Sequence, residues 1–209
     1  MNIVLLTVGK TDVKWVKEGL DVYVSRLQHY VPFKVTEIPE LKKAQALSRD
    51  QVKEKEGELI LKHLSPTDTL ILLDEHGVEY RSTEFAGMLE KYMLQGTRNL
   101  VFAVGGAYGF SPEVHARARA KMALSKMTFT HQMVRTVFAE QLYRAFTILK
   151  GEPYHNEYVP PHTAKRCNSC YGCIGHNFCG VTPYRNGQRR PRSGGGGFWQ
   201  EDQRPHQNP

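Results

Sequence analysis

Cysteine is missing from the first 166 residues of this 209-residue chain, and all four copies, Cys167, Cys170, Cys173 and Cys179, crowd towards its end. A core built without cysteine gives no sign of a disulfide framework and fits a reducing compartment. Long apolar runs are missing too, since no stretch approaches the roughly 20 residues that cross a bilayer. The opening Met-Asn-Ile-Val-Leu-Leu-Thr-Val-Gly-Lys lacks the charged segment that precedes the apolar run of a signal peptide. Together these absences predict a soluble, cytoplasmic protein.

Positive charge is scarce where a nucleic-acid-binding domain would need it. The whole chain carries 28 Lys/Arg and 21 Asp/Glu, but residues 159–209 hold seven of those bases against two acids, leaving 21 against 19 before them. Basicity is therefore a property of the tail, and RNA binding by the main domain cannot be argued from the pI. Two nucleotide fingerprints are absent as well. No Gly-x-Gly-x-x-Gly follows the first strand, no acid lies between Glu113 and Glu140 to hold a ribose, and no Gly-Lys-Ser/Thr follows the glycines at 105–109 to mark a phosphate loop.

What is present alternates between strand and helix patterns. Ile3–Val8 reads as a buried strand, and Val16, Leu20, Tyr23, Val24 and Leu27 mark an amphipathic helix after it. Phe33–Ile38 is a second strand between prolines, and a long, mostly solvated helix is expected from about Ala44 to His63. Leu70–Leu73 is apolar enough for a central parallel strand, Ser82 is placed to cap a helix Thr83–Leu94, and Asn99–Val104 is a fourth strand. Ser111-Pro112-Glu113 opens another helix, and Met122–Met127 is the fifth strand. From Gln132, apolar residues at helical spacing run to Leu149 around most of the circumference, so this helix must be buried by its own domain or by a second subunit. The fold class is α/β, with a mainly parallel sheet flanked by helices over residues 1–158. Residues 159–209 form a basic, Cys/Gly/Pro-rich tail with too little periodic apolar content for a packed layer, and disorder or at most a small metal-clasped knuckle is expected there.

Three stretches would lie together at strand carboxyl ends, where open α/β sheets bind ligands: Leu73–Gly77, Gly105–Gly109 and Leu124–Phe129. Paired glycines allow close backbone approach to a flat ligand, although a tight turn explains them equally well. A nucleoside-containing ligand held mainly by backbone fits this pattern. In the last helix Glu140 and Arg144 can pair at i,i+4, which leaves Arg135, one turn after His131, without an evident local partner. His131 and Arg135 are the first functional candidates, against the alternative that both sit in structural hydrogen bonds.

The run Ser125-Lys126-Met127-Thr128-Phe129, then His131-Gln132-x-x-Arg135, Glu140-Gln141-x-Tyr143-Arg144-Ala145 and a closing Tyr154-His155 resembles the ribosomal RNA large subunit methyltransferase H family, of the knotted SPOUT class. Val4–Lys10 and Lys53-Glu54-Lys55-Glu56-Gly57 extend the resemblance, which covers roughly residues 1–157. It implies a trefoil-knotted unit from about 70 to 150 and S-adenosylmethionine as cofactor. The cofactor-contacting positions are Leu73, Gly105, Leu124, Ser125, Lys126, Met127, Thr128 and Phe129. It also implies methylation at N3 of a pseudouridine in 23S ribosomal RNA on the ribosome, by a homodimer. His131 would then act as base or shape the pocket, Arg135 would hold developing negative charge or a phosphate, and Tyr154 and His155 would complete the site across the dimer.

Two departures stand out. Thr130 replaces a proline common in the family, and the chain continues for some fifty residues where family members stop. The tail's Cys-x2-Cys-x2-Cys-x5-Cys has a zinc site's ligand count without a standard spacing, so no metal site is assigned to it. The alternative function is that of a non-catalytic RNA-binding protein acting through this tail.

Overall fold

The computed structural model describes residues 1–41 and 46–155. All belong to the first of two units into which the chain divides, Met1–Tyr158. The four cysteines of the tail lie outside the described residues. In chain order the elements are β1 (Asn2–Val8), α1 (Lys14–Leu27), β2 (Phe33–Ile38), α2 (Arg49–Lys62), β3 (Thr69–Glu79), α3 (Ser82–Leu94), β4 (Asn99–Val104), α4 (Pro112–Arg117), β5 (Ala120–Ala123) and α5 (Met133–Leu149).

The strands form one sheet in the order β2-β1-β4-β3-β5, and every neighbouring pair is parallel. In β1, β4 and the first half of β3 most strand residues are apolar because both faces are covered, as parallel sheets require. Ile3, Leu5, Ile71, Leu100, Phe102 and Met122 point to the face packed by α5 and its neighbours. Leu6, Val8, Leu70, Leu72, Val101 and Ala103 point to the other, against Ile60 of α2 and Val114 of α4.

Helix α5 packs against the sheet and against α1 and α3 of the same chain. Its Phe138 ring lies 4.7 Å from that of Phe102 at the sheet's centre and 6.4 Å from Phe85 of α3. On its other side Thr136 Oγ1 donates to the Val16 carbonyl of α1 at 3.0 Å. A side chain at Gly19 would come within 3.2 Å of Thr136, so the glycine permits this close helix approach.

Four expectations need correction. Helix α2 starts at Arg49 rather than near Ala44: Ser48 Oγ accepts from Gln51 N–H and the Gln51 side chain accepts from Ser48 N–H, a reciprocal cap. Helix α3 is capped at Arg81, whose N–H reaches Glu84 Oε2 at 2.8 Å, and Ser82 is already helical. Strand β5 ends at Ala123 instead of Met127. Strand β3 continues past Leu73 to Glu79 through a bulge, with Leu73 and Val78 both opposite Met122. A Cβ at Gly77 would sit 2.5 Å from the Met122 backbone, so glycine lets the bulge fold onto β5. Among the described residues no helix is long and apolar enough to cross a membrane.

Candidate active site

The carboxyl ends of β3, β4 and β5 converge on a cavity of about 690 Å³. Its walls are the β3 bulge, the glycine loop after β4 and the segment between β5 and α5. A second cavity, of about 520 Å³, opens at the opposite end, lined by Asn2, Pro32 and Asn99. Open parallel sheets bind ligands at their carboxyl ends, which favours the first.

Each wall is held by identifiable contacts. In the glycine loop Gly109, at φ +81°, donates its N–H to the Gly106 carbonyl at 3.2 Å. A Cβ at Gly105 would meet the Gly109 backbone and the Phe110 ring at 3.3 Å, so the loop is closed tightly over that residue. From below, Glu56 of α2 occupies the space a side chain at Gly106 would need, its Oε2 only 2.4 Å from that Cβ position. Oε2 is buried without a hydrogen-bond partner. Burial, with the neighbouring charge of Glu40, raises the Glu56 carboxyl above its ordinary range.

The segment after β5 is tied across the cavity by Thr128 Oγ1, which donates to Glu75 Oε2 of the bulge at 3.1 Å, and internally by Met127 N–H to Ser125 Oγ at 2.9 Å. The Thr130 hydroxyl accepts from the N–H of Met133, the first residue of α5, at 3.2 Å.

On the bulge Asp74 is mostly buried, its Oδ1 accepting the His76 N–H at 2.8 Å and lying 3.2 Å from His76 Nδ1. His115 Nε2 of α4 stands 3.8 Å from Oδ2. Burial by itself would raise the Asp74 carboxyl, but the His76 backbone and ring, with His115, outweigh it and hold the group below its ordinary value.

The structure gathers most, but not all, of the residues expected from sequence. Leu73, Gly105, Leu124, Ser125, Met127, Thr128, Phe129 and His131 all line this cavity. Lys126 does not. Neither does Arg135, which is fully buried under the site. Its Nε donates to the His131 carbonyl at 2.9 Å, Nη1 to Thr11 Oγ1 at 2.7 Å and Nη2 to the Val8 carbonyl at 2.8 Å, with Glu37 Oε1 at 4.0 Å. Burial lowers its pKa and the Glu37, Asp12 and Glu40 charges oppose that. The charge expected to lack partners thus has a full set, and it is a brace rather than a free cation.

Tyr154 and His155 do not line this cavity either. The Tyr154 hydroxyl donates to Glu140 Oε1 at 3.2 Å and its ring packs on Tyr143 and Arg144. Burial, with the contacts to Tyr23 and Glu140, pushes its phenol up to about 12. Glu140 also pairs with Arg144, the i,i+4 partner expected from sequence.

Asp74, His115 and Lys53 line the cavity without having been singled out. Adjacency to Leu73 marked Asp74, and the Lys53–Gly57 motif contained Lys53. His115 carried no signal, because its place depends on where α4 packs.

The family model described as Predicted SPOUT methyltransferase matches residues 1–155. A protein of Parabacteroides distasonis named Ribosomal RNA large subunit methyltransferase H is 54% identical over 157 residues, 75% of this chain and all of that protein. Proteins of the same name from Christiangramia forsetii, matched over 156 residues, and Flavobacterium johnsoniae, over 157, are each 52% identical across 75% of this chain and 99% and 100% of their own lengths. The matched region runs through every element that builds the cavity, and the chain belongs to the SPOUT methyltransferase family.

Proposed function

We propose that this methyltransferase uses S-adenosylmethionine to methylate N3 of a pseudouridine in 23S ribosomal RNA on the ribosome. One observation carries the proposal: Leu73, Gly105 and most of Leu124–Phe129, distant in sequence, face one cavity at the strand carboxyl ends. The relatives that match along nearly their whole length are named for methylation of large-subunit ribosomal RNA, which supports an rRNA substrate.

The lining suits a nucleoside that carries a sulfonium group. Leu73, Val104 and Leu124 offer apolar surface for a purine, the unsubstituted Gly105 leaves backbone accessible, and Asp74 supplies negative charge. S-adenosylmethionine, when bound, supplies an electrophilic methyl group. The glycine loop and residues 124–129 orient the two reactants, and positioning is worth several powers of ten in rate. N3 of the uracil-like ring gains the methyl and gives its proton to the exposed imidazole of His131 at the cavity. Arg135 serves as a positioning residue, because its Nε holds the His131 carbonyl.

Tyr154 and His155 complete the site of a second copy, in a homodimer. Trp15 and Val22, 60% and 47% exposed and seven residues apart on α1, give one apolar stripe available for that contact. The trefoil knot implied for about residues 70–150 belongs to the same proposal, as does a cytoplasmic site of action beside the ribosome. Radiolabelled methyl transfer to ribosomes lacking the modification, with the product nucleoside identified by mass spectrometry, tests it. The expected product is N3-methylpseudouridine, and label in any other nucleoside overturns the assignment.

A further inference from the structure

Asp74 has no part in positioning a pyrimidine ring or removing its proton, yet it is built with care. Its side chain is only 13% exposed. The His76 N–H at 2.8 Å and the two imidazoles, at 3.2 and 3.8 Å, face its two oxygens. Among the described residues no lysine or arginine pairs with it, and no group of three His, Cys, Asp or Glu has the placement to hold a metal ion. Leu73, Val104, Met122 and Leu124 line the same cavity with apolar surface, alongside polar side chains such as Lys53 and Ser125. A carboxylate shielded to this extent acts on charge more strongly than one in water, because little solvent lies between it and a bound group. Its charged neighbours are these two imidazoles alone among the ion pairs of the described residues, and no lysine or arginine competes with a cationic ligand for it there.

A sulfonium methyl donor and the product left after transfer share their nucleoside and their amino-acid portion. They differ by one methyl group and one positive charge. We infer that Asp74 is a specificity-determining residue that makes the cavity prefer the cationic methyl donor over its neutral thioether product, an inference that rests on S-adenosylmethionine being the ligand. The consequence is a site that loosens its hold on the nucleoside once the charge has left. Turnover is then less subject to product inhibition than shape alone would allow, since shape hardly distinguishes the two molecules.

Calorimetry on the full chain tests this, with three probes: S-adenosylmethionine, S-adenosylhomocysteine, and sinefungin, whose amine places a positive charge near the sulfonium position. In Asp74→Asn the affinities for S-adenosylmethionine and sinefungin should fall about tenfold, the scale of a partly screened charge pair. S-adenosylhomocysteine should stay within about twofold. Asp74→Ser gives the same comparison should the asparagine variant not fold, and Asp74→Glu should restore much of the discrimination. Equal losses for all three probes would mean that Asp74 binds a shared part, such as the ribose hydroxyls, and would overturn the inference. So would unchanged donor affinity. A wild-type chain that binds none of the probes would instead remove the cofactor assignment itself.

Discussion

Nη2 of Arg135 donates to the backbone carbonyl of Val8 at 2.8 Å, joining the first turn of α5 to the end of β1 across 127 positions of sequence. With its bonds to Thr11 and the His131 carbonyl, the guanidinium fastens the cavity segment to the carboxyl end of β1. Arg135→Ala leaves buried acceptors unpaired and should cost about 3–5 kcal/mol. Urea denaturation checks this. Arg135→Lys keeps the charge but loses the fork and should fall between the two. A stable alanine variant with only a kinetic defect would restore Arg135 to a direct role in the reaction.

Gly105 is a matter of space, since its Cβ would press on the Gly109 backbone and Phe110 at 3.3 Å. Gly105→Val should therefore reshape the loop and weaken S-adenosylmethionine binding by about tenfold or more, with the far-ultraviolet dichroism unchanged. Calorimetry provides the number, and unaltered affinity removes Gly105 from the site.

His131 is exposed and lines the cavity, so its removal should leave the fold and the cofactor site intact. His131→Ala should lower kcat by about a hundredfold or more while changing cofactor affinity little, as expected for loss of a general base. A matching drop in cofactor affinity would point to a role in shaping the pocket.

Glu56 links stability to pH with a definite sign. Its carboxyl is raised in the folded state by burial and by Glu40, so the folded protein resists its ionisation. The stability this group allows is complete below the ordinary carboxyl value of 4.5 and is lost as pH rises through the higher folded value. Glu56→Gln should raise the urea midpoint at neutral pH and lose that advantage in acid. A lower midpoint at neutral pH would show that the charge is welcome where it sits.

The relatives align along their entire length with about three quarters of this chain, and the family model ends at residue 155. Truncation after Tyr158 should accordingly leave a folded, cysteine-free protein with full or increased methyl transfer. Weaker ribosome binding with a shallower salt slope after truncation, and zinc in the full-length protein alone, would show that the tail is an RNA clamp.

Sequence by itself determined what depends on near neighbours. Phe33–Ile38 lies between Pro32 and Pro39 and Asn99–Val104 ends at Gly105-Gly106, as read from sequence, and Ser111-Pro112 starts α4 with the hydroxyl receiving the Val114 N–H. The Glu140–Arg144 pair also forms as spacing alone requires. The grouping of Leu73, Gly105 and the 124–129 segment was legible through strand ends and family motifs. Tertiary structure alone decided the meaning of Arg135, because its partners Thr11 and Val8 lie 124 and 127 residues away and no local pattern encodes them. It likewise made a bulged strand of the expected Leu73–Gly77 loop, where Gly77 must pass the β5 backbone, and brought His115 to Asp74. Such contacts are set by which elements pack side by side. A side chain's type shows what it can bond to, and only packing decides which groups come within reach.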